Sequence, residues 1–299
     1  MQRRLFSLAL GGGLAAMAIS ASASASAKNS RGQGTPDVEA QLRQIEAASG
    51  GRLGVCILNT ADGRRFGHRA DERFPMCSTF KLLAAALVLQ RVDSGLDRLD
   101  RPIAIERSAI VPHSPLTEPH VGRHMTLGAL CEATITQSDN AAANLMLASF
   151  GGPAGLTAYV RSLGDPLTRL DRNEPGLNEA VAGDPRDTTT PAAMLGLMQK
   201  LVLGNALKPA SRDQLRDWLL ANKTGDERLR ARLPSGWRVG DKTGAGAFGT
   251  NNDVGIVWPP GRPPLLVTAY LTQTGAPLDR RNAALASVGA LLPDLSAGA

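Results

Sequence analysis

Apolar positions recur along the chain with two different spacings, and the change between them divides it into three parts. Val38, Leu42 and Ile45 share one face of a 3.6-residue repeat, predicting a helix with Thr35 as N-cap and Pro36 at its first position. Gly50-Gly51 stops it. Residues 52–58 then form an apolar strand pattern, and Asp62-Gly63 marks a hairpin into a second strand near Arg65–His68. From about 78 to 220 the pattern is mostly helical, with apolar runs at 82–92, 127–135, 141–150, 156–163 and 192–203 between Gly and Pro breaks. Thr190-Pro191 repeats the Thr-Pro helix start. Strand patterns return at 237–242, 254–258 and 264–271, and a last helix is predicted from about 280 to 292. Strands at both ends of a helical middle suggest one sheet built from distant segments, with a helical part inserted between. Such a design leaves a cleft, and clefts between domains are preferred ligand sites.

The N-terminus is set aside from this pattern. Arg3 and Arg4 precede an apolar stretch over 5–19 and a Ser/Ala run ending Ala25-Ser26-Ala27, the layout of a signal peptide with small residues at its cleavage site. A membrane anchor needs roughly 18 continuous apolar residues, and this stretch is shorter. Adjacent arginines followed by Leu5 and Phe6 are compatible with twin-arginine export and equally with an ordinary positive n-region, so the route is left open. Of 299 residues, 43% are hydrophobic and 20% charged, enough for a large core in one big domain or two interleaved ones. Removing Arg3 and Arg4, with no acid, takes the net charge from +6 to +4. The Arg228–Arg232 segment is basic but has no aromatic ladder beside it, which argues against nucleic-acid binding. Cys56, Cys77 and Cys131 allow at most one internal disulfide and form no Cys-x-x-Cys pair. His113, His120 and His124 have no zinc-like spacing, and no metal is expected.

Four short motifs carry candidate chemistry. Ser78-x-x-Lys81 would set an amine and a hydroxyl on one helix face, and a lysine of lowered pKa can activate a serine. Ser138-Asp139-Asn140 precedes an apolar run, where Ser or Asn would ordinarily be read as a helix cap. Arg172-Asn173-Glu174-Pro175-Gly176-Leu177-Asn178 lies in an irregular stretch over about 164–188. Loops longer than about 15 residues are uncommon and often functional. A carboxylate held there could orient a water, with Asn178 as partner; its plainer reading is a solvated Glu. Lys242-Thr243-Gly244 ends a strand with a cation, a hydroxyl and a glycine that permits close backbone approach, suited to a bound carboxylate.

In this order the four motifs resemble those of the class A serine β-lactamases, and the likeness covers nearly all of the chain after the leader. The resemblance implies an α/β plus all-α fold. A five-stranded antiparallel sheet flanked by terminal helices would carry an inserted helical domain, with the active site in the cleft between them. The implied segments are a signal peptide over 1–27, an α/β domain from 28–76 and 221–299, and a helical domain over 77–220. Ser78 would attack the β-lactam carbonyl, and Lys81, or Glu174 through a water, would take its proton. Ser138 would protonate the departing nitrogen, and Asn140 would bind the substrate's side-chain amide. Glu174 and Asn178 would drive deacylation. Lys242 and Thr243 would hold the substrate carboxylate, with Gly244 beside them, and the N–H groups of Ser78 and Ala245 would form the oxyanion hole. Arg172 and Asp187 would pair at the base of the loop. The implied protein is an exported, periplasmic or secreted monomer without cofactor, stable membrane association or nucleic-acid partner, which hydrolyses penicillins and cephalosporins and confers antibiotic resistance.

Several positions depart from the family pattern. A cysteine seven residues after the nucleophile, which in some relatives bridges to the position of Cys131, is replaced by Ala85. Gly246 stands where carbapenem-hydrolysing relatives place the partner of a cysteine like Cys77. His113 occupies the place of an aromatic gatekeeper, either stacking there or lying as an exposed loop histidine. Arg228 is the expected substitute for an arginine that some relatives carry after Lys-Thr-Gly. A penicillin-sensitive peptidase would share the nucleophile but lack Glu174 and Asn178. A β-lactam sensor would normally accompany a membrane span.

Overall fold

Residues 37–297 are described in the computed structural model; the expected leader and the Thr35-Pro36 helix start lie outside them. Helix α1 (Val38–Ser49) is capped by Asp37, whose carboxylate accepts the Ala40 N–H at 2.9 Å. An acid there satisfies an orphan donor and meets the positive helix end. Gly50, at φ 64°, closes the helix. Strands β1 (Arg52–Asn59) and β2 (Arg65–His68) form the predicted hairpin.

After β3 (Phe74–Pro75) and a 3₁₀ turn, Cys77–Thr79, the chain enters α2 (Phe80–Asp93). Every residue of α2 from Phe80 to Leu89 is buried, including Lys81, so this helix is apolar nearly all round and packs as the centre of the helical part. A small ladder, β4 (Pro102–Ala104) with β5 (His124–Thr126), leads into α3 (Leu127–Thr136), α4 (Asn140–Ala148) and α5 (Gly152–Ser162). The stretch that follows is irregular as predicted, apart from a 3₁₀ turn at Gly176–Asn178, until β6 (Thr188–Thr189) pairs with β3. Thr190 caps α6 (Pro191–Met198) by accepting the Ala193 N–H, as its sequence predicts. The predicted 192–203 helix changes to a π-helical turn at Gln199–Leu203, and α7 (Pro209–Leu220) follows.

Strands β7 (Arg238–Ala245), β8 (Asn251–Trp258) and β9 (Leu265–Thr272) complete a five-stranded antiparallel sheet in the order β2-β1-β9-β8-β7. The single helix expected over 280–292 is two, α8 (Leu278–Gly289) and α9 (Leu292–Ala297). A Cβ on Gly289 would lie 2.2 Å from the Leu229 carbonyl oxygen, so the end of α8 is pressed against the backbone before β7.

Alternate residues of the central strands feed opposite cores. Leu53, Val55 and Ile57 with Val267, Ala269 and Leu271 meet α1, α8 and α9 on one face. Cys56, Leu58, Leu266 and Tyr270 meet the helical part on the other. A period of two on strands buried on both faces is what makes them read as continuous apolar runs. The three cysteines are buried and free.

Candidate active site

The four motifs, far apart in sequence, converge beside the start of α2. Ser78 sits in the 3₁₀ turn, one step after Cys77, whose φ of 43° is unusual for a side-chain-bearing residue. The i, i+3 spacing predicts Lys81 on the face of Ser78, and both reach one oxygen of Glu174. Ser78 Oγ donates to Glu174 Oε1 at 3.2 Å, and Lys81 Nζ lies 3.0 Å from that atom. Lys81 also donates to the Ser138 carbonyl (2.7 Å), to Ser138 Oγ (3.2 Å) and to Asn140 Oδ1 (2.6 Å). Burial lowers the Lys81 pKa, opposed by the charge of Glu174 and its hydrogen bond.

In Ser138-Asp139-Asn140 the cap is the middle residue. Asp139 Oδ1 accepts the Ala142 N–H, while its two oxygens also take the Leu116 and Thr117 N–H groups and the Thr117 hydroxyl. This frees Ser138, at φ 56°, to face Lys81. Asn140 donates to the Pro112 carbonyl. His113 is exposed at φ 63°, its Nε2 3.0 Å from the Gln137 carbonyl oxygen.

Glu174 is held from both sides. Asn178 Nδ2 donates to its Oε2, and Asn144 on α4 accepts from its backbone N–H and donates to its carbonyl, each at 2.9 Å. Asn144 belongs to no motif, although its spacing of four from Asn140 on one helix signals a shared face. At the loop's base Arg172 Nε donates to Asp187 Oδ2 at 2.6 Å, and Arg172 also pairs with Glu179.

Across the site, β7 carries Lys242, Thr243, Gly244 and Ala245. Lys242 is wholly buried and donates to the Thr243 carbonyl at 3.0 Å. Burial first, then the neighbouring charge of Lys81, bring its pKa down to about 7. Thr243 Oγ1 lies 2.5 Å from Thr224 Oγ1, and Thr224 continues through Asn222 to Asp241 and Arg230. Gly225 makes room for that chain, since a Cβ there would stand 1.9 Å from Asp241 Oδ2. Arg228 is committed to backbone, its Nη1 donating to the carbonyls of Gly244 (3.0 Å) and Asn252 (2.7 Å). Ala245 is exposed at the strand's end, and a Cβ on Gly246 would lie 2.7 Å from both Cys77 Sγ and the Asn178 carbonyl oxygen. The nucleophile turn, the end of β7 and the Glu174 loop therefore touch there. Asn222, Thr224 and Asn252 lie outside the four motifs, and isolated polar residues carry no periodic signal in a sequence. Among the described residues no cluster of His, Cys, Asp or Glu could hold a metal ion.

The arrangement places a hydroxyl, an amine and a carboxylate within hydrogen-bond reach, the geometry of a serine nucleophile with candidate bases. Comparison with known proteins agrees. A family described as "Beta-lactamase enzyme family" matches residues 37–295. Beta-lactamase Toho-1 of Escherichia coli is 48% identical over 255 residues, covering 85% of this chain and 88% of that protein. Beta-lactamase L2 of Stenotrophomonas maltophilia is 50% identical over 246 residues, 82% of this chain and 81% of that one. The solved structure of an ancestral (GNCA) class A beta-lactamase is 61% identical with a TM-score of 0.86, covering 86% of this chain and 99% of that one.

Proposed function

Because the chain belongs to the class A β-lactamases and is therefore a β-lactam hydrolase of antibiotic resistance, we propose that it opens the ring through a Ser78 acyl-enzyme cleared by a Glu174-activated water. The observation that carries this reading is the meeting of Ser78 Oγ and Lys81 Nζ at one Glu174 oxygen, 3.2 and 3.0 Å away. A carboxylate that close to the nucleophile can accept its proton as the oxygen attacks the lactam carbonyl. The negative charge that develops on the carbonyl oxygen is met by the N–H groups of Ser78 and Ala245, and losing one such donor typically costs about 2.7–4 kcal/mol. Ser138 gives its proton to the departing nitrogen and is resupplied by Lys81, 3.2 Å away. Once Ser78 is esterified it has no proton to donate to Glu174. Glu174 passes the proton it took to the now-neutral Lys81, 3.0 Å away, and its freed Oε1 then orients a water, with Asn178 fixing the other carboxylate oxygen. Lys242 and Thr243 hold the substrate carboxylate, Asn140 its side-chain amide and His113 the rim, while Arg228 supports the strand end through its bonds to Gly244 and Asn252.

The test is a chromogenic cephalosporin assay on the purified mature chain with mass spectrometry of Ser78. Many turnovers through a single Ser78 adduct are expected; one stoichiometric burst would instead indicate a protein that is acylated and stays so. Export as a signal-peptide-bearing monomer completes the proposal. Among the described residues no helix is long and apolar enough to cross a membrane.

The low pKa of Lys242 has a kinetic consequence. Below about pH 7 the ammonium attracts the substrate carboxylate; above it the amine is neutral. Since kcat/KM reports the free enzyme, it is expected to fall by about tenfold for each pH unit above that midpoint. Burial also lowers the Lys81 pKa, so Lys242→Arg separates the two. Arginine stays charged and should extend the plateau to higher pH. An alkaline limb that Lys242→Arg leaves in place would assign the titration elsewhere.

A further inference from the structure

The two N–H groups assigned to the oxyanion hole belong to elements distant in sequence, the turn before α2 and the end of β7, and their separation must be set by something that ties those elements together. Asn252 does so. It is wholly buried on β8, opposite Gly244 in register, and its Nδ2 donates to two successive carbonyls, Pro75 at 2.9 Å and Met76 at 3.1 Å. Those carbonyls immediately precede Cys77 and Ser78. The amide orientation follows from its partners, because turning it over would set Oδ1 against two acceptors. Contact at this seam is close: a Cβ on Gly244 would stand 2.8 Å from the Met76 carbonyl oxygen. The same register pair is tied by Arg228, whose Nη1 donates to the carbonyls of both Gly244 and Asn252.

We propose that Asn252 is a positioning residue for acylation: by holding the Pro75 and Met76 carbonyls to the strand pair that carries Ala245, it sets the distance between the oxyanion donors. The proposal rests on the oxyanion-hole reading above. Neither β-branched nor apolar side chains could replace it, because the task needs two donors on one short planar group. Without Asn252 the turn still closes on itself, since the Thr79 hydroxyl and N–H both donate to Met76 O, at 2.8 and 3.2 Å. What is lost is its registration against β7 and β8. Asn252→Ala is therefore expected to fold with a misplaced nucleophile turn.

The experiment combines kinetics with infrared difference spectroscopy of the acyl carbonyl, trapped in a Glu174→Ala background. In that background with Asn252 intact, the ester carbonyl should absorb at lower wavenumber than in the same adduct after unfolding, because both N–H groups polarise it. With Asn252→Ala added, the band should move back toward the unfolded value and broaden. In the enzyme with Glu174 present, Asn252→Ala should lower the acylation rate about 10- to 100-fold, the effect of a misplacement of about 1 Å, with the substrate dissociation constant unchanged. An unmoved band and unchanged acylation would overturn the role of Asn252 alone. A band that is not lowered even with Asn252 intact would overturn the oxyanion-hole reading, and this inference with it. Should Asn252→Ala fail to fold, the Asn252 side-chain amide resonances of the parent protein decide the matter. They should shift when a boronic acid, a tetrahedral mimic, bonds to Ser78, and resonances that stay in place overturn the proposal.

Discussion

Glu174→Ala is expected to turn the enzyme into a trap that acylates once and releases product very slowly. Deacylation should fall by about 10²–10⁴-fold, the usual contribution of a positioned general base. Acylation should fall less, for a reason visible in the lysine's surroundings. Lys81 is wholly buried, and the charge of Glu174 is the largest influence keeping its amine protonated against desolvation. With that carboxylate gone, burial acts alone and the amine loses its proton rather than remain charged and unpaired. A neutral Lys81 beside the turn can then take the Ser78 proton. Mass spectrometry during turnover should show Ser78 fully acylated in the variant and mostly free in the parent, with a burst of one equivalent in the chromogenic assay. Steady-state turnover within tenfold of the parent would remove Glu174 from the deacylation step. Glu174→Gln serves as the control for packing, since it keeps the shape that Asn178 and Asn144 hold.

The part of this machinery that the sequence reveals is the part that obeys short-range rules. Thr190-Pro191 starts α6 where its capping chemistry says it should, and the Asp62-Gly63 turn sets β2 against β1. Where two local signals competed, burial and partners decided. Asp139 rather than Ser138 or Asn140 caps α4, leaving the outer two residues of that motif for Lys81. The supporting shell is a different matter. Asn252 reaches Met76 across 176 positions, and Asn144 reaches Glu174 across 30. A lone asparagine has no periodicity, and its partner is a backbone carbonyl that every residue possesses. Arg228, which the resemblance offers as a substitute for a relative's arginine, donates to two strand carbonyls, partners that no local pattern signals.

Asp187→Asn is expected to slow deacylation before it touches acylation, and the reason lies in how one carboxylate serves two structures. Asp187 is 1% exposed, at φ 55°. Its Oδ1 accepts the N–H groups of Asp171 and Arg172 at 2.7 and 2.9 Å, and its Oδ2 takes Arg172 Nε at 2.6 Å. An asparagine can keep the first pair through its carbonyl oxygen, but its NH₂ then faces the guanidinium, donor against donor. Breaking a buried pair from one side costs about 3–5 kcal/mol; Arg172 retains Glu179, with Asp184 at 4.0 Å, so the low end applies. The loop base loosens, while the Asp187 backbone carbonyl still accepts the Met76 N–H at 2.9 Å. Ser78, Lys81 and Ser138 therefore keep their frame, and Glu174, carried on the loop, does not. A displacement near 1 Å lowers rates by about 10²-fold, so the deacylation rate should drop by one to two decades and the acyl-enzyme should accumulate. Amides over 172–180 should exchange faster with solvent, in step with that drop. Equal losses in both half-reactions, or unchanged hydrolysis with unchanged exchange, would show that the Arg172–Asp187 pair does not govern the position of Glu174.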